Sequence, residues 1–292
     1  MKILSLISAI CIIAFINSSA QTKNKQYSFK TSPGMTAEIE VTDINIIINS
    51  NSSETAKVTV TGNSNADLER IKVFETSGGI KISGENYSSL TDRASTLTIE
   101  MLLPDYYNLS VSSNNSNISI HNIDGNKRIR HFKGKIRIEN STGDIDVKTG
   151  DGSVDVHNQN GMLEIVTATG DIFLNSVDGE SKLITASGDI SMNNVGTIVS
   201  VETASGSINV NPGLSLQNIS LSSISGDITV NLTEQSGVSL RVKTFSGELD
   251  IDGGFRRSDS SGALTRSITA TIGNGAIQMD CYTISGDIRI SK

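Results

Sequence analysis

Eight glycines fall at nine-residue intervals, at Gly125, Gly134, Gly143, Gly152, Gly161, Gly170, Gly179 and Gly188. A fixed short period restricts the chain to a stacked repeat, because one such unit cannot bury an apolar face alone and must lay it on its neighbours. After most of these glycines, apolar residues stand at the second and fourth positions: Ile145 and Val147, Val154 and Val156, Leu163 and Ile165, Ile172 and Leu174, Ile190 and Met192. Period-two alternation is the pattern of a strand with one buried face, so each glycine marks a turn between two short strands.

Beyond Gly188 the spacing loosens while the phase survives. Thr169-Gly170-Asp171-Ile172 recurs at Ser187-Gly188, Ser205-Gly206, Ser225-Gly226, Ser246-Gly247 and Ser285-Gly286. Gly170, Gly188 and Gly206 keep one even step, and the gaps to Gly226, Gly247 and Gly286 then lengthen. One coil is therefore two nine-residue arcs, with extra residues admitted on one side only. The expected fold is all-β, a repetitive β-helix-like solenoid of about 18 to 21 residues per coil, flattened between two sheets. Three-sided coils would need about 27 residues. Gly supplies backbone angles closed to other residues, and the small Ser or Thr before it and the Asp after it can bond local backbone.

The solenoid domain is expected over residues 111–292, with an insertion at 252–267 that interrupts the repeat. Residues 21–110 are expected to form an N-terminal β domain or cap, since terminal units of a solenoid are commonly atypical. Six strands are expected there: Ala37 to Val41, Asp43 to Asn49, Ala56 to Thr61, Ile71 to Glu75, Gly79 to Ser83 and Thr96 to Leu103. Pro104 ends the last of them, because it cannot donate a ladder hydrogen bond.

Residues 1–20 carry Lys2, an apolar run from Ile3 to Ile16, and Ser18-Ser19-Ala20 before Gln21, the pattern of a secretory signal peptide. Cys11 raises lipid attachment as an alternative, but bulky Ile10 precedes it and the apolar run continues past it, unlike a lipoprotein cleavage site. No other stretch approaches the ~20 apolar residues of a membrane span. An exported location, periplasm or cell surface, follows as the expectation. Signal removal leaves Cys281 alone, alternating with Met279 and Thr283 as a core residue would. A formal net charge of −7 with no Trp argues against a nucleic-acid partner.

The recurring V-x-V-x-T-x-S-G-D-I-x-V pattern, as in Val199 to Val210, resembles the DUF4097 family of adhesin-like exported proteins with β-strand repeats. Leu103-Pro104-Asp105, followed by Leu109-Ser-Val and Ile118-Ser-Ile, resembles the join those proteins show between first strands and repeats. The resemblance covers most of residues 35–292 and implies an exported solenoid with an envelope role. It supplies no catalytic residues.

Chemistry is nearly silent. Asp144, Asp171, Asp189, Asp227 and Asp287 follow turn glycines, as in calcium-binding β-rolls, but the G-G-x-G-x-D order is missing and Ser207 and Glu248 interrupt the series. A calcium cage needs six to eight oxygens, so these carboxylates are expected to cap turns, with no metal and no cofactor. Asp146, Asp155 and Glu164 occupy outward positions; Asp146 and Glu164 stack one coil apart, flanked by Arg128 and Lys182. Two carboxylates about 5 to 9.5 Å apart could hydrolyse a glycoside, which makes a carbohydrate-active β-helix enzyme the alternative. A solvated charge ladder is the plainer account. His121, His131 and His157 show no metal spacing.

Two features remain as candidate binding sites. Lys127, Arg128, Arg130, His131, Lys133, Lys135 and Arg137 crowd around Phe132 in an otherwise acidic chain. They are either solvated surface residues or a docking patch for an envelope glycan or other anionic polymer. The insertion carries Phe255, Arg256 and Arg257, and solenoid insertions often lie on a functional face. The expectation is a non-enzymatic, adhesin-like binding or structural module at the bacterial cell envelope, its partner a glycan, an anionic polymer or a protein. Because the sequence runs out in mid-pattern at Ile290-Ser291-Lys292, the insertion is expected to fold over that open end, or two molecules to meet there end to end.

Overall fold

The computed structural model describes residues 22–85, 97–232, 237–252, 254–261 and 266–292. The expected signal peptide lies outside them. In chain order the first elements are β1 (Lys23–Lys30), β2 (Thr36–Thr42), β3 (Asn45–Asn51), β4 (Thr55–Gly62), α1 (Asn65–Glu69), β5 (Lys72–Thr76), β6 (Gly79–Glu85), β7 (Thr98–Pro104), β8 (Asn108–Asn115) and β9 (Ile118–His121). The regular array follows as β10 (Lys127–Lys133), β11 (Ile136–Thr142), β12 (Ile145–Asp151), β13 (Val154–Asn160), β14 (Leu163–Thr167), β15 (Ile172–Asp178), β16 (Ser181–Thr185) and β17 (Ile190–Thr203). The remainder is β18 (Ile208–Ser223), β19 (Ile228–Asn231), β20 (Val238–Thr244), β21 (Leu249–Ile251), β22 (Arg256–Ser261), β23 (Arg266–Ile272), β24 (Ile277–Thr283) and β25 (Ile288–Ser291).

In the array each strand pairs in parallel with the strand two places on, as β10 with β12 (Ile129 opposite Val147) and β11 with β13 (Ile138 opposite Val156). Two stacks result. Stack A holds β8, β10, β12, β14 and β16, and stack B holds β9, β11, β13 and β15. The long strands β17 and β18 each contribute to both stacks around a corner. The inward residues of the two stacks form one hydrophobic cluster running from Tyr27 to Ile290. Each fully buried Ile, Leu or Val adds about 1.5–3 kcal/mol of burial, so the core is a long thin strip built in nearly equal increments.

The two glycine ladders have different causes. Gly161 has φ 139, an angle that strains any side-chain-bearing residue. Gly188 needs no such angle; a Cβ there would sit 2.0 Å from the Gly170 carbonyl oxygen. At that tight corner Gly188 N–H donates to inward-facing Thr185 Oγ1 at 3.0 Å. Thr three residues before the glycine, not the Ser or Thr directly before it, is thus the local turn bond. The Asp carboxylates cap across coils: Asp189 N–H donates to Asp171 Oδ1 at 2.9 Å, and Ser207 N–H to Asp189 Oδ1 at 2.8 Å. On stack B a third ladder, Asn122, Asn140, Asn158, Ser176 and Asn194, takes φ of 57, 52, 53, 56 and 53. That left-handed residue resets the in-out alternation, so Val177 and Val195 point inward two places after Asn175 and Asn193.

The ends depart from sequence order. At the C-terminal end, β24 lies between β18 and β20, and β25 between β19 and β21. The corner glycines report the same order: a Cβ on Gly286 would meet the Gly226 oxygen, and one on Gly247 the Gly286 oxygen. The expected open edge at Ile290 does not exist, because β25 is paired on both sides. The outermost coil is β20–β21, and the expected insertion is a hairpin, β22 with β23, whose β23 runs antiparallel on β20. Both edges of β25 are taken, so it offers no edge for an end-to-end contact.

The N-terminal end repeats this logic. The first coil, β2–β3, is wedged between β8–β9 and β6–β7. Antiparallel strands close the outside: β5 on β6, β4 on β7, and β1 on β4. The six expected strands are present; β1 and α1 were not anticipated. Helix α1 starts with a capping box in which Ser64 accepts from Asp67 N–H and Asp67 bonds back to Ser64 N–H. It brings Leu68 onto the end of the core.

Candidate functional site

The outer face of stack B carries two rows of side chains. In one, Ser119, Arg137, Asp155, Phe173, Ser191 and Asn209 follow one another across adjacent strands; in the other, His121, Glu139, His157, Asn175, Asn193 and Asn211. The half nearer the N-terminal end is charged. Ser119 Oγ lies 2.8 Å from His121 Nε2, and His121 Nδ1 lies 2.9 Å from Glu139 Oε2. With Nδ1 donating to the carboxylate, Nε2 accepts from the serine hydroxyl. Burial pushes the Glu139 carboxyl up, but the Arg137 hydrogen bond and charge and the two histidines outweigh it and hold it below the usual range. The order Ser–His–Glu is that of a hydrolase triad. The strand beneath it is paired on both sides, with β3 and β11, so its backbone donors are in the ladder and do not converge on an oxyanion. This is a polar cross-strand ladder.

The other half is an amide ladder. Asn193 Nδ2 donates to Asn175 Oδ1 at 3.1 Å, Asn231 Nδ2 to Asn211 Oδ1 at 2.9 Å, and Ser291 Oγ to Asn231 Oδ1 at 3.0 Å. Phe173 stands at the boundary between the halves, 50% exposed. A shallow cleft of about 530 Å³ surrounds it, lined by Lys135, Asp155, His157, Asn175, Asn193 and Asn211. Asp155 is held in place from two sides, by His157 Nε2 at 2.5 Å and Lys135 Nζ at 3.3 Å. The arrangement presents an aromatic face beside fixed amide and carboxylate groups, which suits a ligand with both C–H and hydroxyl surfaces.

The chain matches the Toastrack DUF4097 family over residues 36–291. It belongs to that family. Solved structures similar to this Toastrack chain include one described as a "putative adhesin" from Bacteroides fragilis, at 12% identity and a TM-score of 0.49, covering 93% of this chain and 98% of that one. A "putative lipid binding protein" from Parabacteroides distasonis is 13% identical with a TM-score of 0.43, covering 92% and 96%. No curated protein matches the chain.

The basic cluster expected from the sequence does not form one patch on this Toastrack fold. The nine-residue arc sends Arg128 and Arg130 to stack A and Lys135 and Arg137 to stack B, on opposite faces. Lys133, at the corner, lies 3.4 Å from Asp151. Arg130 forks onto Asp146 at 3.0 and 2.5 Å, Arg128 lies 3.6 Å from the same carboxylate, and Arg137 pairs with Glu139. The Arg130 hydrogen bond holds the Asp146 carboxyl below its usual range. Lys127 is not a surface residue at all. It occupies an inward position opposite Ile145, and its Nζ donates to the carbonyls of Gly125 at 2.8 Å and Thr142 at 2.7 Å. Burial lowers its pKa to about 8, against the opposing pull of Asp124 and Asp144.

His131 is also inward, bonded to the Ser116 carbonyl and Thr149 Oγ1, and burial lowers its pKa. Phe255 packs partly buried against the core, Arg256 is exposed, and the Arg257 side chain lies outside the described residues. Cys281 is buried, its thiol pushed up to about 12 by burial. Asp146 and Glu164 do stack, with Arg128 and Lys182 as flanking partners. Among the described residues no cluster of His, Cys, Asp and Glu could hold a metal ion, and no helix is long and apolar enough to cross a membrane.

Reading the motifs one at a time missed the stack B face. Its signal was present: His121, Glu139, His157, Asn175, Asn193 and Asn211 recur at one constant interval, the length of a regular coil, so one row collects them all.

Proposed function

We propose that the chain is an exported, non-enzymatic β-solenoid that serves as an adhesin-like binding module at the bacterial cell envelope, with a glycan held on the outer face of stack B. The observation that carries this reading is Phe173, an exposed aromatic ring set in a cleft of ordered Asn, Asp and His side chains on a rigid sheet. Ligand groups on a rigid scaffold are held without a large ordering cost, and a long flat face suits a polymer better than an enclosed substrate. The carboxylates weighed for glycoside hydrolysis, Asp146 and Glu164, are tied to Arg128, Arg130 and Lys182.

An array of envelope polysaccharides probed with the protein tests the reading. Binding to at least one glycan is expected, with Phe173→Ala weakening it tenfold or more and Arg128→Glu, on the opposite face, leaving it unchanged. No binding to any glycan, or equal loss in both variants, rejects it.

A further inference from the structure

The outer side of stack A carries an apolar stripe along its corner. From one coil to the next it runs Phe132, Gly150, Ala168, Ala186, Ala204, Ile224, Ile284 and Phe245. Adjacent members are tied through backbone bonds such as Ala168 N–H to Gly150 O at 3.1 Å, Ala186 N–H to Ala168 O at 3.2 Å and Ser285 N–H to Ile224 O at 3.0 Å. Of the eleven exposed large apolar side chains among the described residues, Phe132, Ile224, Phe245 and Ile284 stand on this stripe and Tyr282 beside it. Such clustering marks an interaction surface. Its relief is uneven. Ala168, Ala186 and Ala204 line a shallow groove of about 620 Å³ that Ile224 bounds at one end, while Ile224, Ile284 and Phe245 form a ridge continuing the same line.

We propose that this stripe is the interface of a two-fold symmetric pair formed with a second copy of the chain. A two-fold axis at Ala204 lays the ridge of each copy into the groove of the other. Ile224 then meets Ala186, Ile284 meets Ala168, and Phe245 meets Gly150 beside Phe132. Each of the three ridge residues faces a small one, twice over, as a self-complementary surface requires, and Phe132 flanks Phe245 at either end.

The charged row four places earlier on each strand agrees in part. It runs Arg128, Asp146, Glu164, Lys182, Ser200, Ser220, Asp280 and Arg241. The same axis sets Asp146 opposite Arg241, joining the Arg130–Asp146 pair to the Arg241–Asp280 pair, while Glu164 faces Asp280. In the row between, Glu202 meets its own mate and Lys148 meets Lys243. Seven strands about 4.8 Å apart, each offering about four residues, bury roughly 1,000 Å² counting both copies, the low end for a specific interface. The pair is therefore weak, and Glu202 is one reason.

Sedimentation velocity from 1 µM to 1 mM protein tests this on the full chain. A reversible monomer–dimer equilibrium is expected. Ala186→Arg, at an exposed position, should weaken it at least tenfold with unchanged melting. Glu202→Gln should tighten it several-fold by removing the repulsion at the axis. Ala204→Cys should form a disulfide-linked dimer much faster than Asn193→Cys on the opposite face, native Cys281 being buried. A protein that stays monomeric to 1 mM, a dimer that Glu202→Gln does not tighten, or equal crosslinking at the two positions overturns the proposal. So does a chain that stays monomeric and binds acyl-chain vesicles in a way that Ala186→Arg abolishes, which would assign the stripe to lipid.

Discussion

The middle of the solenoid and its two ends are made of the same coils but ordered by different rules. From β8 to β18 each coil lies on the one before it in sequence. At the ends, the first coil (β2–β3) and the last (β24–β25) are each wedged between two others. A β-solenoid coil offers the same inner face and the same ladder above and below, so hydrogen bonding alone does not dictate which coil follows which. The outermost coils, β6–β7 and β20–β21, are those adjacent in sequence to the antiparallel strands covering them: β4 and β5 come just before the first, and β22 and β23 just after the second.

The largest expected effect tests whether a wedged coil is as deep as a middle one. Ile190 and Ile290 are both buried, at 0% and 1% exposure. Ile190→Asp and Ile290→Asp should therefore both destabilise by several kcal/mol in urea melts, while outward Ser191→Asp stays within about 1 kcal/mol. A mild Ile290→Asp would return β25 to an open edge.

A second expectation sharpens the comparison inside the regular array, where Lys127 breaks the apolar rule. Its folded pKa of about 8 lies below the ordinary 10.5. Below pH 8 the folded chain holds a buried charge at a cost. Between pH 8 and 10.5 the unfolded chain binds the proton the folded chain has released, so stability rises with pH, by at most about 3 kcal/mol. Chemical melts at pH 7.5 and 10 should show the rise, and Lys127→Met should flatten it. A smaller effect comes from the corners. Gly286→Ala would place a Cβ 2.1 Å from the Gly226 oxygen and should cost about 2 kcal/mol, whereas Gly78→Ala, with open space around it, should be nearly neutral.

The smallest effect is the most specific to strand order. Arg241 and Asp280 meet at 3.2 Å only because β24 lies against β20. A double-mutant cycle should give a coupling of a few tenths of a kcal/mol, as exposed pairs do. Zero coupling between them, with coupling between Arg241→Glu and substitutions at Ser220, would restore sequence order.

The middle was legible because its pairing partner sits at a constant offset: Ile172, Ile190 and Ile208 follow one another at a single even step and face one another. The ends were not, because Ile228 pairs with Ile288, several coil lengths further along the chain, and Ile288 pairs back to Leu249. No local pattern records that choice. The basic cluster misled for a related reason. Arg130 and Lys135 are close in sequence, but the corner at Gly134, with φ 119, sends them to opposite faces. The row of Asn175, Asn193 and Asn211 was hidden in the same way, since its members are neighbours only through the coil period.

The wedge at the C-terminal end governs how the molecule can be assembled on the ribosome. Strands β20 to β23 leave the exit tunnel before β24 and β25, yet the place for the later pair lies beneath the earlier one. A nascent chain therefore either holds β20–β21 away from β18–β19 or lets them pair and later parts them. Removing residues 277–291 would not shorten the rod from its tip but take a slice from within, leaving the β20–β21 coil, and the hairpin it carries, with no floor.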